Sequence, residues 1–286
     1  GPHSMTWNAR YGSLVAAGFD AGTADGMNEK GLVANLLYLT ESEYVTPSDK
    51  DPRKTLSISL WAQYVLDNFA TVSEAVAALS KDEFYVVTTL TPDGKPGQLH
   101  LSISDASGDS AIFQYVDGKL QIHHDRSYQV MTNSPVFDKQ LALNEYWEEI
   151  GGLTMLPGTN RSADRFARAS FYIKTLPKTD QANEAVAGVM SVMRNVSVPM
   201  GISTPDQPNI STTLWRSVSD QQHRRYFFEL THLPNTFWVS MDQLDLSVGA
   251  PVKKLPLTER QLYAGETADK FVPAKAFTFL PATPGA

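Results

Sequence analysis

Few residues of this sequence, judged by their type and their spacing, are candidates for a nucleophile or a metal site. The 286 residues contain no cysteine, so they hold no thiolate nucleophile, thiolate metal site or disulfide. His123 and His124 are adjacent on a predicted strand, so their side chains point to opposite faces and form a poor metal pair. A Ser-His-Asp triad cannot be assigned from spacing, because its members converge only in the fold.

A threonine is the other nucleophile that the residues suggest. Removal of Met5 would expose Thr6, whose hydroxyl and free amine would form a nucleophile–base pair. Residues 1–5 are interpreted instead as the remnant of a cleavage site and linker, and residues 6–286 as a single domain.

Composition argues against several partners. The formal net charge is −7 and no cluster of Lys and Arg is present, which argues against nucleic-acid binding. No apolar run approaches the roughly 20 residues that span a bilayer. We find no cofactor motif and predict no metal site. Four aspartates lack the residue order of a calcium loop and are interpreted as hairpin-turn residues: Asp93, Asp105, Asp109 and Asp117.

The elements that position any site alternate between strands and helices. Strand-like runs at 13–19 and 31–39 flank the turn residues 25–30, which predicts a hairpin. Apolar spacing predicts a helix over 58–69, and Thr71 with Glu74 predicts a capping box that starts a second helix. A meander of four strands is then predicted at 84–90, 99–104, 111–116 and 120–124. Helices are predicted at 137–150, 161–176 and 181–195, and strands near 212–219, 224–230 and 237–241.

This order of elements predicts an α+β protein with antiparallel sheets. Two sheets packed together, with helices on both outer faces, would bury all the apolar faces at once.

Three phrases occur in an order that is typical of one family. They are Asp25-Gly26-Met27-Asn28-Glu29-Lys30-Gly31-Leu32, Met131-Thr132-Asn133-Ser134-Pro135, and Leu156-Pro157-Gly158 followed by Ser162-Ala163-Asp164-Arg165-Phe166. Together they resemble the choloylglycine hydrolase family of bile salt hydrolases and penicillin V acylases, and look closest to the Gram-negative acylases. The resemblance implies the four-layer αββα N-terminal-nucleophile hydrolase fold.

The resemblance also implies a mechanism and an expectation about this chain. In the family, an N-terminal cysteine attacks an amide carbonyl and its own α-amino group handles the proton. That cysteine, and an arginine and an aspartate that follow it, precede the part that this chain matches. We therefore expect an N-terminally truncated, inactive chain whose missing strands are replaced by other contacts. The match of Trp7–Ser13 to a strand inside the family sequence counts against Thr6 as the nucleophile.

Three residues match functional positions of the family. Asn133 matches the asparagine whose side-chain amide donates to the developing oxyanion, although its sequence context alone indicates a turn before Pro135. Tyr38 matches the position whose backbone N–H is the second donor, and is otherwise an ordinary strand aromatic. Arg165 matches the arginine that reaches the nucleophile's hydrogen-bond network, and is otherwise a polar helix residue.

The function that follows is hydrolysis of a small-molecule N-acyl amide. An aromatic residue at position 38 and a short connection over 148–155 favour penicillin V or N-acyl homoserine lactones, the latter implying quorum quenching, over conjugated bile salts. A catalytically silent remnant or binding protein is the alternative. The resemblance further implies a homo-oligomer, tetramer or dimer, in the bacterial periplasm.

Overall fold

The computed structural model describes residues 3–48, 50–199, 212–257 and 261–283, which fall into two compact units. The first unit comprises Gly1–Tyr128, Leu246–Ala250 and Lys275–Ala286. The second comprises Gln129–Asp245 and Pro251–Ala274.

The first unit is built on a six-stranded antiparallel sheet. Its strands are β1 (Ser13–Gly18), β2 (Gly22–Asn28), β3 (Val33–Tyr38), β6 (Leu99–Ser104), β7 (Ser110–Val116) and β8 (Lys119–His124), in the order β1-β2-β3-β6-β7-β8. A separate parallel pair joins β4 (Lys54–Ser57) to β5 (Phe84–Val87). Two helices connect that pair: α1 (Trp61–Asn68) and α2 (Val72–Leu79).

The core of the first unit lies between the sheet and these helices. Trp61 and Val65 of α1 are buried in one cluster with Leu101 and Phe113 of the sheet. Burial of such side chains stabilises by about 1.5–3 kcal/mol each.

The predicted cap at Thr71 is confirmed. Its Oγ1 accepts from Glu74 N at 3.2 Å, while Glu74 Oε2 accepts from Ala70 N at 2.9 Å. The start of α2 is thus fixed by local sequence.

The second unit combines three helices with a smaller sheet. The helices are α3 (Phe137–Ile150), α4 (Ser162–Thr175) and α5 (Ala182–Asn195). The strands are β9 (Trp215–Asp220), β10 (Arg225–Leu230), β11 (Thr236–Ser240), β12 (Lys253–Lys254), β13 (Gly265–Glu266) and β14 (Val272–Pro273). Four of them form a sheet in the order β13-β11-β10-β9, and β12 pairs with β14.

Helix α5 packs on this sheet in two ways. Met190 is buried against Val218 and Phe227. Glu229 of β10, with a side chain only 4% exposed, accepts from Arg194 of α5 and from Arg216 Nε of β9 at 3.0 Å. The ion pair therefore ties the C-terminal end of the helix to two strands.

Two local predictions were wrong. Residues 25–28 form part of β2 rather than a turn, so the predicted single hairpin is a three-stranded meander. The missed turn is at Phe19 and Asp20, which adopt φ of 55° and 50° without the glycine that usually signals such a turn. Strand β5 is not part of the meander that follows it, because it pairs in parallel with β4, a four-residue strand that the sequence pattern did not reveal.

The α+β class and the major helices are confirmed. Each unit supplies a sheet with helices packed on it, which are the components of the predicted αββα arrangement. The single-domain assignment and the replacement of the missing strands by other contacts stay predictions.

Candidate active site

Asn133 lies in a bend between β8 and α3, not on a strand. Its backbone N donates to Ser162 Oγ at 2.7 Å. Its side-chain Oδ1 accepts from Arg165 Nη2 at 2.7 Å. Because a guanidinium has donors only, this contact fixes which end of the amide is the oxygen and turns the Nδ2 donor end away from Arg165.

Arg165 comes from the first turn of α4, the helix that Ser162 begins. Residues three apart lie on one helix face, so one helix end holds both the backbone and the side chain of Asn133. Arg165 Nε also donates to Asn160 O at 3.0 Å, which fixes the guanidinium plane. Desolvation by burial, and then the nearby charge of Arg168, lower the pKa of Arg165 from its usual value.

Arg168 supports the loop that leads into α4. Its Nη1 donates to Pro157 O at 2.7 Å and to Thr159 O at 2.8 Å, and Nε donates to Asn195 Oδ1 at 3.2 Å. The side chain is buried, and these bonds satisfy it. The Leu156-Pro157-Gly158 phrase is therefore held by this arginine.

Two hydroxyl side chains, those of Ser162 and Thr132, also lie beside Asn133. Ser162 Oγ donates to Thr132 Oγ1 at 2.9 Å, and Thr132 Oγ1 donates to Ser162 O at 3.1 Å. These hydrogen bonds join the segment before α3 to the start of α4.

Sequence reasoning missed one residue of this group, Gln140 on α3. It lies seven residues after Asn133, and its Nε2 donates to the backbone oxygens of Asn133 and Ser134. The predicted helix over 137–150 includes this position, but no signal in the sequence indicated that its side chain meets the preceding loop.

Tyr38, in the first unit, ends strand β3 opposite Leu99. Leu39 N donates to Gln98 O at 2.9 Å, so Leu39 and Gln98 form a hydrogen-bonded pair of the antiparallel ladder. The neighbouring Tyr38–Leu99 pair is therefore not hydrogen-bonded, and the N–H of Tyr38 points away from β6. On that side the register with β2 ends at the Asp25–Asn35 pair. The residue is 42% exposed, and its hydroxyl approaches Gln98 Oε1 at 3.4 Å.

The structure thus brings Asn133 and Arg165 into direct contact, while Tyr38 belongs to the other unit. The roles that the family resemblance implies for these three residues stay predictions. Within the described ranges, no three His, Asp or Glu side chains are arranged to hold a metal ion. None of the described helices combines the length and apolar composition needed to cross a bilayer.

The fold and these phrases define a class of protein, an amide hydrolase with the N-terminal-nucleophile hydrolase fold. A solved penicillin V acylase from Agrobacterium tumefaciens superposes with a TM-score of 0.91 and 56% identity, over 98% of this chain and 86% of that one. A variant of conjugated bile acid hydrolase from Clostridium perfringens superposes with a TM-score of 0.67 over 78% of this chain and 74% of that one; at 24% identity it supports the fold alone.

Sequence comparisons identify the family. Residues 4–254 match the family described as linear amide C–N hydrolases, choloylglycine hydrolase family. The penicillin V acylase of Pectobacterium atrosepticum is 48% identical over 98% of this chain and 80% of its own length. The bile salt hydrolase/transferase of Clostridium perfringens is 27% identical over 72% of this chain and 68% of its length. The chain belongs to the choloylglycine hydrolase family.

Proposed function

We propose that this protein hydrolyses the side-chain amide of penicillin V or of N-acyl homoserine lactones in preference to conjugated bile salts. The observation that carries the proposal is the Arg165–Asn133 hydrogen bond, which presents the amide N–H of Asn133 as a preorganised donor. The backbone N–H of Tyr38 is the second proposed donor.

The proposed reaction follows the family's chemistry. A cysteine thiolate adds to the amide carbonyl, and the negative charge that develops on oxygen accepts from these donors. Collapse of the tetrahedral intermediate breaks the C–N bond, and the leaving amine takes a proton from the protonated α-amino group of the cysteine. Water then hydrolyses the thioester, which releases the carboxylic acid and restores the cysteine. Because the 286 residues contain no cysteine, the proposed nucleophile comes from outside them.

Two features support the acyl preference. Tyr38 places an aromatic ring at a position where bile salt hydrolases usually have asparagine. The connection from α3 to the 156–158 phrase is also compact: Thr154 N donates to Gly151 O at 2.9 Å. A Cβ at Gly152 would lie 2.1 Å from Cδ2 of Phe171, so this turn is tightly packed. Bile salt hydrolases carry a longer insertion at this point.

The test compares this chain with a form extended upstream to include the family's cysteine, arginine and aspartate. Both are assayed for amide hydrolysis of penicillin V, a glycine-conjugated bile salt and an N-acyl homoserine lactone. Silence of the short chain, with turnover of penicillin V or the lactone by the extended form, is the expected result. The form that turns substrate over is called the active form below.

Other outcomes contradict parts of the proposal. Turnover by the short chain would mean that another group, such as Thr6, is the nucleophile. Preference for the bile salt would refute the acyl assignment. Silence of both forms would favour the second candidate function, a binding protein, for which the absence of cysteine is the specific observation.

The proposal extends to a homo-oligomer in the bacterial periplasm, as the resemblance implies. Light scattering coupled to size-exclusion chromatography measures the oligomeric state, and cell fractionation measures the location. A monomer, or a protein found only in the cytoplasm, would contradict them.

A further inference from the structure

Gln140 lies in the first turn of α3 with its side chain surrounded by the loop that carries Asn133. The residue is only 2% exposed. Its Nε2 approaches Ser134 O at 2.9 Å and Asn133 O at 3.3 Å. The same nitrogen lies 3.1 Å from Ser162 Oγ and 3.2 Å from Thr132 Oγ1. One amide nitrogen therefore reaches four oxygens around the candidate oxyanion donor.

The donors and acceptors of this group are mutually consistent. The Thr132 hydroxyl donates to Ser162 O, and the Ser162 hydroxyl donates to Thr132 Oγ1. Both hydroxyl oxygens are therefore acceptors toward Gln140, as are the two backbone carbonyls. An N–H₂ group is the only part of a glutamine that suits all four oxygens, so the assignment of Nε2 follows from chemistry.

We propose that Gln140 is a positioning residue for amide hydrolysis, holding the Asn133 peptide so that its side-chain N–H meets the developing oxyanion. The inference rests on the proposed role of Asn133. Ser162 holds the backbone N–H of Asn133, Arg165 holds its Oδ1, and Gln140 holds its carbonyl. Loss of the third contact frees the Asn133–Ser134 peptides to tilt, which displaces the donor from the reacting carbonyl.

The side-chain oxygen of Gln140 indicates that the residue does more than stabilise the fold. Oε1 is buried, and no donor within the described part of the chain reaches it. A buried acceptor without a partner is destabilising, and methionine fills a similar volume without that oxygen. Gln140→Met therefore removes the positioning contacts while the core stays filled.

The experiment is a double-mutant cycle in the active form with penicillin V as substrate. Gln140→Met lowers kcat by about 10- to 100-fold with KM changed by less than about 3-fold, since misplacement affects the transition state more than binding. Asn133→Ala lowers kcat by about 100- to 1000-fold. The combined variant is no slower than Asn133→Ala, because Gln140 acts through Asn133.

A matched control is available on the same helix. Asn144 is also a buried amide of α3, and its Nδ2 donates to Glu148 Oε1 at 3.0 Å rather than to the loop. Asn144→Ala leaves kcat unchanged. Ser162→Ala, which removes the acceptor of the Asn133 N–H, is a second variant to use if Gln140→Met does not fold. It lowers kcat in the same way.

Hydrogen exchange of the amides of residues 132–134 gives a readout that needs no turnover. Gln140→Met accelerates it by about 10-fold or more in the 286-residue chain, and Asn144→Ala does not. Unchanged exchange, full kcat in Gln140→Met, or losses that add to that of Asn133→Ala would each overturn the inference. Full kcat in Asn133→Ala would instead overturn the proposed function, and the inference with it.

Discussion

Replacing Arg165 by methionine tests whether this arginine orients the candidate oxyanion donor. Arg165 is partly buried, and its guanidinium donates to Asn133 Oδ1 at 2.7 Å and to Asn160 O at 3.0 Å. Methionine replaces the unbranched stem of arginine but is shorter and has no hydrogen-bond donor. The Asn133 amide then loses the hydrogen bond that orients its oxygen end, so its N–H is held less firmly toward the reacting carbonyl.

The magnitude follows from the strength of the lost bond. A hydrogen bond to a charged group contributes about 1.5–3 kcal/mol. At about 1.4 kcal/mol per tenfold in rate, kcat falls by about 10- to 100-fold if the bond acts by preorganising the transition state. The unfolding free energy falls by less than this hydrogen-bond contribution. Removing Arg165 also removes the cost of desolvating its charge and its repulsion from Arg168.

The assay is steady-state hydrolysis of penicillin V by the active form, with thermal unfolding measured in parallel. Arg161→Met is the control, since Arg161 is an exposed arginine just before the same helix. An unchanged kcat for Arg165→Met, or a loss confined to KM, would refute the argument that Arg165 acts through the orientation of Asn133.

Two further predictions concern stability. Burial alone would raise the pKa of Glu229, but hydrogen bonds from Arg194, Thr236 and Arg216 lower it to about 2. The carboxylate therefore stabilises the fold above its unfolded pKa near 4.5, and this contribution, about 2 kcal/mol after allowing for the exposed Arg194, is lost as pH falls toward 2. Denaturant unfolding of Glu229→Gln and of the unsubstituted protein at pH 7 and pH 3 measures this contribution. A loss of unfolding free energy that is equal at both pH values would contradict the lowered pKa of Glu229. Thr71→Ala lowers the unfolding free energy by about 1 kcal/mol through loss of the α2 cap, with Ser73→Ala as control.

Local signals in the sequence were sufficient for the helices. The predicted helix over 137–150 has the bounds of α3, and Thr71 caps α2 as its spacing with Glu74 indicated. The pairing of the strands was harder to predict from the sequence. The partner of β5 is β4, some 30 residues earlier, and such a parallel pairing is set by the crossover through α1 and α2 rather than by either strand's own pattern.

The candidate site was predictable only through the family's phrases. From its own neighbours Asn133 indicates a turn, and nothing nearby in sequence predicts that Arg165 reaches it from 32 residues away. Gln140 was missed for a related reason. Its position lies within a predicted helix, but its four oxygen partners depend on how α3, α4 and the loop that precedes α3 pack.

The most direct test of the proposed oxyanion donor is Asn133→Asp in the active form. Aspartate has nearly the same shape and keeps an oxygen for Arg165, but it replaces the N–H donor with a second acceptor. We expect kcat for penicillin V to fall by about 100- to 1000-fold, with KM little changed and the thermal midpoint unchanged or raised. A variant that folds normally and keeps its kcat would show that Asn133 does not stabilise the oxyanion.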